Sequence, residues 1–599
     1  MRHQLSWTLA SALLAAAAAQ ANGQQASPKC RCVPGESCWP SEDKWLSFGA
    51  KLKGKLVKSE PVAISCYEGP LKDLAKCNEV WNQWSADSFQ TKQPLGRYYP
   101  YTQSCPPVDY AQGEAPKTCS LGQLPVYVVE AVDRSDIAEA LRFTREHNIR
   151  VTVTNTGHDL NGRSDGFGSL TIWLQKFRKG ISFQPRLQSA TGCAASNWSG
   201  SALRLDGAYR WRDVVKVAKE KKVMVVSGGS GSPGASGGWM LGGGHGPASR
   251  EYGLGADQLL EAEVMLANGS VVTANHCQHP DLFRSLRGGG PGYGVVLGVT
   301  IKAYLMPDTW SMTVHQLDLW PETQTDSNSE LLDAVAHLAQ SFPQLNDAGF
   351  SGYGVWFRNL RGEFMGGRRS GYNHKLWIVG KNKTEAWSLF EPVRASLDTL
   401  KGAVVLNETL REYRNFWTFF DTELGHDDVS GLSLYTTSRF LDKPAVADLR
   451  KLREAVDVVS GRPEEYTMNI LALGSGGKVF EDAADTSSGL HPAWRTAPMF
   501  LITGRRAAHS ATEAERRAVM DDITRVKGAA TKSLAPDTGA YMNEGDRNDP
   551  DWKQAFYGSN YGHHLATKHA YDPDKVFYCP TCVGSDEFVS REDGALCLA

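Results

Sequence analysis

Between Ser227 and Gly246 the chain reads SGGSGSPGASGGWMLGGGHG, with ten glycines in twenty residues. Each glycine in a helix interior costs about 1 kcal/mol relative to alanine, and in a strand it marks a bulge or a close backbone approach. The stretch therefore reads as irregular backbone pressed against something large and flat or charged. Gly229 to Gly234 spells G-x-G-x-x-G directly after an apolar strand. A dinucleotide helix opening there would have to absorb Gly237, Gly238, Gly242, Gly243 and Gly244, so a nicotinamide site ranks below a flavin cradle.

A second stretch points to the same ligand. The apolar strand Ile149–Thr154 runs into Asn155-Thr-Gly-His158-Asp159. A strand that ends in a glycine turn brings backbone N–H groups and one imidazole to a single bound molecule. Gly244-His245-Gly246 adds a second histidine, and Asp159 would make a third metal ligand. No H-x-x-x-H, H-E-x-x-H or Cys/His spacing supports a metal, so none is expected and His245 is read as structural. A Ser-His-Asp hydrolase has no G-x-S-x-G elbow to stand on.

A chain of 599 residues is too long for one core and implies two or three domains. Its 64 basic residues nearly cancel its 66 acidic ones, which leaves no electrostatic case for nucleic acid or an acidic membrane and favours small-molecule partners. Arg2, the alanine- and leucine-rich run to Ala19 and an A-x-A site at Ala19–Ala21 read as a secretory signal over residues 1–21. No later stretch approaches the ~20 apolar residues of a membrane span. Secretion suits the twelve cysteines, read as disulfides, including Cys579 and Cys582. It also suits sequons at Asn197, Asn268, Asn382 and Asn407, so an N-glycosylated, soluble monomer is expected.

Residues 22–120, rich in Cys, Pro and Trp, read as a disulfide-stapled extension wrapping the main body. From 121 the pattern sharpens into a β-α-β unit: strand Leu124–Val129, a helix capped by Ser135, and strand Ile149–Thr154. A second unit follows, with strand Leu203–Leu205, helix Trp211–Lys221 and strand Val223–Val226. Two strands span Leu259–Val272 about an Asn268-Gly269 turn. A helix at Asp281–Leu286 precedes a strand from Val295 to Ile301. Residues 306–535 alternate aromatic strands (352–357, 376–379, 499–502) with helices (331–342, 443–458, 511–528), an α+β pattern whose Trp and Tyr residues are read mainly as core.

The T-G-H-D turn, SGGWMLGGGHGPASREYGLGADQLLEAEVMLANGSVV, FRSLRGGGPGYGVVLGVTIK and YMNEGDRNDPDWKQAFYGSNYGHHLATKHAYDPDKVFY occur in this order. Together they resemble secreted fungal FAD-linked oxidoreductases of the vanillyl-alcohol oxidase / PCMH superfamily, in particular the berberine-bridge-enzyme-like oxidases. The resemblance implies an α+β chain: a PCMH-type FAD-binding domain of two α+β subdomains over 121–305, a substrate domain with an antiparallel sheet over 306–535, and a C-terminal segment, 536–599, that completes the FAD domain. It places the FAD tether on His158. It assigns Thr154, Asn155, Thr156, Gly157, Asp159 and Ser164 to the cofactor, then Gly228, Gly229, Ser232, Gly234, Ser236, Gly237, Gly238, Gly242, Gly243 and Gly246, and finally Val295, Asn543 and Asn560. Doubly tethered relatives carry a cysteine near Gly231 or Ser232. This chain has none there, so one covalent bond is expected.

The relatives' G-G-H is Gly237-Gly238-Trp239 here, and Leu160 stands where a tyrosine is frequent, so their base does not carry over. Hydride transfer from an alcohol or amine C–H to flavin, with O2 reoxidation to H2O2, is the expected chemistry. Candidates for the base are Tyr541, Glu544, Asp421 and His426, and Asn469 is expected to face substrate. The alternatives are a natural-product dehydrogenase or cyclase that reacts poorly with oxygen, and a flavin-binding glycoprotein without turnover.

Overall fold

A computed structural model describes residues 30–189, 192–193, 196, 198–360, 365–425 and 428–599. The signal segment, the Asn197 sequon and the candidate base His426 lie outside the described residues.

The first sheet has four strands: β1 (Lys55–Lys58), β2 (Tyr127–Glu130), β3 (Val151–Thr154) and β4 (Leu170–Trp173), in the order β1-β2-β4-β3. β2 and β3 both run parallel to β4, and β1, from the cysteine-rich region, pairs antiparallel to β2. The expected β-α-β unit is therefore split, because β4 lies between its two strands. β4 is Leu-Thr-Ile-Trp, buried at all four positions, and so short an apolar run carries no alternation to betray it. The helix Arg134–Glu146 begins two residues earlier than expected. Its cap is Asp133, which accepts from the Ser135 N–H and closes a capping box with Asp136.

The second sheet and a short ribbon use β5 (Arg178–Gln184), β6 (Ala202–Gly207), β7 (Val223–Met224), β8 (Leu259–Met265), β9 (Val271–Ala274), β10 (Val295–Lys302) and β11 (Tyr304–Leu305). The sheet is antiparallel throughout, in the order β5-β6-β10-β8-β9, and β7 pairs with β11. The glycine stretch leaves β7 as loop and forms only one helical turn, Gly238–Leu241, as its composition demands.

The third sheet is seven-stranded and antiparallel. It comprises β12 (Met312–Pro321), β13 (Ser351–Phe357), β14 (Gly371–Val379), β15 (Val404–Tyr413), β16 (Leu434–Leu441), β17 (Thr467–Leu473) and β18 (Met499–Arg506), in the order β15-β12-β14-β13-β17-β18-β16. The helices Ser329–Asp347, Lys383–Leu397 and Leu449–Ser460 bury one face of this sheet in an aliphatic core. The other face presents Tyr353, Ile470, Phe500 and Ile502 toward the glycine stretch. After β18 the chain returns to the first two sheets through Gly539–Tyr571 and ends in the ribbon β19 (Phe588–Ser590) and β20 (Leu596–Leu598).

All twelve cysteines are paired, as expected: Cys32–Cys38, Cys66–Cys77, Cys105–Cys119, Cys193–Cys277, Cys579–Cys582 and Cys30–Cys597. The sequon residues Asn268, Asn382 and Asn407 are exposed. Among the described residues no helix is long and apolar enough to cross a membrane.

A buried charge cluster joins the second sheet to the segment before β18. Asp257 is 2% exposed and takes both guanidinium nitrogens of Arg495 at 2.7 and 2.9 Å, with Arg287 at 3.6 Å. Burial pushes the Asp257 carboxyl up, but the two arginines and the Leu254 N–H outweigh it and the net pKa falls. A carboxylate with a lowered folded-state pKa stabilises fully above its unfolded value, about pH 4, and loses that contribution as pH drops through the folded value. Asp257→Asn leaves the buried Arg495 guanidinium without its carboxylate while Arg287 keeps Asp485 at 2.8 Å, and thermal unfolding at pH 7 is expected to show a loss of about 3–5 kcal/mol. The difference from the unsubstituted protein should narrow in acid.

Candidate active site

A cavity of about 520 Å3 lies where the three sheets meet, within the roughly 300–1,000 Å3 range of small-molecule and cofactor sites. Its walls come from distant parts of the chain. The His158 turn contributes Asn155 to Leu160, and the glycine stretch contributes Gly228 to Ser230, Gly234 and Ser236 to Trp239. The seven-stranded sheet adds Tyr353, Ile470, Ala472 and Ile502, and the C-terminal return adds Tyr541, Asn543, Glu544, Phe577 and Tyr578.

The His158 turn is built by its neighbours. Gly157 has φ +76°, and a Cβ there would sit 2.9 Å from the Gly96 carbonyl oxygen, so only glycine fits. The Tyr98 N–H donates to the Gly157 carbonyl, and the rings of Tyr98 and Tyr99 pack on the imidazole at 4.9 and 5.3 Å. The cysteine-rich region thus supplies part of the site, a role its composition did not signal. Asp159 folds the turn back on itself, its two oxygens accepting from the Asn161 and Ser164 N–H groups at 3.1 Å. His158 Nε2 faces Asp428 Oδ2 at 3.6 Å.

On the opposite wall His245 anchors a second cluster. Its Nδ1 meets the Tyr353 hydroxyl at 2.7 Å and its Nε2 meets Glu544 Oε1 at 3.1 Å. Phe500 and Tyr541 enclose the ring at 4.7 and 5.3 Å. Glu544 Oε2 is shut off from solvent with no protein partner. The Tyr541 hydroxyl takes a hydrogen bond from Asn543 Nδ2 at 2.7 Å and donates to the Trp239 carbonyl at 3.3 Å. Burial, then the charge of Glu544, raises the Tyr541 pKa, so the phenol stays protonated. Burial raises that of Tyr353 as well.

Most of the expected cofactor residues meet in this cavity: Asn155, Thr156, Gly157, His158, Asp159, Ser164, Gly228, Gly229, Gly234, Ser236, Gly237, Gly238, Val295 and Asn543 all line it. The others do not. Thr154 is buried behind the turn. A Cβ on Gly242 would strike Asn543 and Met542, one on Gly243 would strike Leu490 and Trp494, and one on Gly246 would lie 1.7 Å from the Ser227 carbonyl oxygen. These three glycines serve chain-to-chain packing. Asn560 is tied to Leu490 and Arg284 away from the cavity, and the buried Ser232 hydroxyl donates to Asp428.

Two candidate catalytic residues are corrected. Asn469 is fully buried on the helix-covered face of β17 and accepts from Thr503, while its neighbours Ile470 and Ala472 face the cavity; strand alternation puts it one register away. Asp421 is exposed on the helix Phe416–Glu423, paired with Lys219. Conversely, His245, Tyr353 and Asp428 were missed. A histidine inside a glycine run and a tyrosine within the alternating strand 351–357 were the available signals; Asp428 sits in a loop without pattern.

The cavity fits a large flat ligand. Gly238 and Gly292 line it, and a Cβ built on either meets nothing closer than 4.0 Å, so a side chain there would fill the space itself. Polar groups concentrate near the His158 turn, and aromatic and aliphatic groups near His245. An α+β frame with this glycine-lined, histidine-bearing crevice is a site for a large, flat, partly polar cofactor.

Comparison with known proteins agrees. A family model described as FAD binding domain matches residues 125–275, and one described as Berberine and berberine like matches 540–584. The FAD-linked oxidoreductase hmp9 of Hypomyces subiculosus is 53% identical, over 96% of this chain and 91% of its own. The VAO-type flavoprotein MtVAO713 from Myceliophthora thermophila C1 is 51% identical with a TM-score of 0.93, over 96% of this chain and 100% of its own. Glucooligosaccharide oxidase from Acremonium strictum, with a 6-S-cysteinyl, 8α-N1-histidyl FAD, shares the fold at 17% identity and TM-score 0.60, covering 77% of this chain and 92% of its own. The chain belongs to the FAD-linked oxidoreductases of the vanillyl-alcohol oxidase, berberine-like type, and FAD is its cofactor.

Gly238→Leu would place its side chain in the cavity without forcing a left-handed backbone. The purified variant is expected to carry at most about a tenth of the flavin per polypeptide, read from the absorbance ratio, while its far-UV circular dichroism is unchanged.

Proposed function

We propose that this chain is a secreted oxidase acting on a small alcohol, amine or carbohydrate. It removes hydride from a C–H and a proton from the adjoining O–H or N–H, and both reach O2 as H2O2. Bound FAD supplies the two-electron acceptor, held covalently through one ring nitrogen of His158. In this reading residues 121–305 and 536–599 form the cofactor half and 306–535 the substrate half, and the N-glycosylated protein acts as a monomer.

The observation that carries the reading is Glu544. One carboxylate oxygen is fixed by His245, which Tyr353 orients in turn, and the other is buried with no partner. A buried acceptor without a donor is a place for a ligand's O–H or N–H. Glu544 takes the substrate's proton, and His245 holds the carboxylate in place. Tyr541, whose phenol resists ionisation, donates a hydrogen bond rather than removing a proton. The flanking Tyr353, Ile470 and Ile502 exclude water and orient the substrate's apolar part.

Glu544→Gln keeps the shape and removes the base. It is expected to lower kcat by about 10²–10⁴-fold with flavin content unchanged, and Tyr541→Phe to cost much less. The measurement is substrate-dependent H2O2 release over a panel of alcohols, amines and sugars. Unchanged kcat in Glu544→Gln overturns the assignment, and dye reduction without peroxide makes the enzyme a dehydrogenase.

Acid precipitation tests the tether. Yellow colour should remain with the wild-type polypeptide and be lost from His158→Ala.

A further inference from the structure

Facing the His158 imidazole stands a carboxylate that nothing in the oxidation chemistry uses. Asp428 comes from the loop before β16, far in sequence from the His158 turn. Its Oδ2 faces His158 Nε2 at 3.6 Å and accepts hydrogen bonds from the hydroxyls of Ser230, at 2.5 Å, and Ser232. Ser232 is fully buried, and the two hydroxyls stand 3.1 Å apart. Two serines of the glycine stretch thus aim one oxygen of a substrate-side carboxylate at the imidazole. Burial raises the Asp428 pKa, but His158 and the two serines outweigh it, and the group stays ionised. Tyr98 and Tyr99 flank the ring, and Tyr98 itself donates to the buried Asp87.

We propose that Asp428, oriented by Ser230 and Ser232, is the proton acceptor that lets His158 form its covalent bond to the flavin. The inference rests on the tether reading above.

An imidazole bonded to carbon through one nitrogen becomes cationic unless the other nitrogen gives up its proton. Asp428 faces Nε2, so it receives that proton and leaves Nδ1 to make the bond. The balance is complete with O2 as oxidant. The new N–C bond forms as one C–H of the flavin 8α-methyl group and the imidazole N–H are lost. The two electrons released pass through the flavin to O2, and the two protons leave with them as H2O2. A fixed anion beside the partly buried ring also stabilises the positive charge that develops there. Asp428 is therefore a positioning and proton-accepting residue for cofactor attachment, while Glu544 serves substrate oxidation.

The test follows attachment directly. Wild type, Asp428→Asn, Asp428→Ala and His158→Ala are purified and incubated aerobically with FAD. Total bound flavin is read by absorbance, and attached flavin by fluorescence of the acid-denatured polypeptide. Both Asp428 variants are expected to bind FAD but attach it at least tenfold more slowly than wild type, and formate added to Asp428→Ala should restore the rate. A structural defect would lower total binding and would not respond to formate. Wild-type protein that releases all its flavin in acid overturns the tether reading and this inference with it. Wild type that retains flavin while Asp428→Asn attaches it equally fast overturns this inference alone. Attachment mapped by peptide mass spectrometry to a residue other than His158 also overturns it.

Discussion

Arg163 holds the two ends of the site together. Its buried guanidinium donates to the Met542 carbonyl at 2.9 Å, to Asn543 Oδ1 at 3.0 Å, to the Pro580 carbonyl at 3.3 Å and to Thr581 Oγ1 at 3.1 Å. Asn161 adds a second bond to the Met542 carbonyl. These partners lie 379 to 418 residues further along the chain than Arg163. A buried guanidinium is stable only with its donors satisfied, so the C-terminal return has one place to dock. Once docked, it brings Tyr541, Asn543 and Glu544 across the cavity from His158. The Cys30–Cys597 disulfide also ties the two ends of the described chain together.

The cavity is then divided by chemistry. Near His158 the walls are backbone and small side chains from two glycine-bearing stretches, with the Tyr98 and Tyr99 rings and the Asp428 carboxylate beside the imidazole. Near His245 they are rings and aliphatic strand residues around a single buried carboxylate, a setting in which removal of one proton is not undone by water. The glycines do two jobs that the sequence alone runs together. Gly238 leaves room for a ligand, whereas Gly244, at φ +72°, lets the chain pass against the Trp239 ring, where a Cβ would sit 2.7 Å away.

Much of the frame was legible in the sequence because it rests on local signals. The helix Trp211–Glu220, the Asn268-Gly269 turn and the strand after the second glycine cluster follow periodicity and turn chemistry, and the His158 turn declared itself by composition. What escaped depends on long-range packing. β4 hides as four apolar residues whose place between β2 and β3 no local rule gives. Asn469 and Ile470 are indistinguishable until the sheet fixes which face is covered. His245 reads as an ordinary buried histidine until β13 delivers Tyr353 and the C-terminal return delivers Glu544. Asp428 meets its serines only through the packing of one half of the chain on the other.

The central claim is that one flat ring touches both walls, with His158 on one side and the Glu544–His245 pair on the other. The crystal structure of the FAD-loaded protein tests it most directly. Electron density for the isoalloxazine is expected against Gly237 and Gly238, continuous with the His158 ring and with Glu544 across from it. A flavin bound with its ring remote from Glu544, or in a different crevice, would contradict the account.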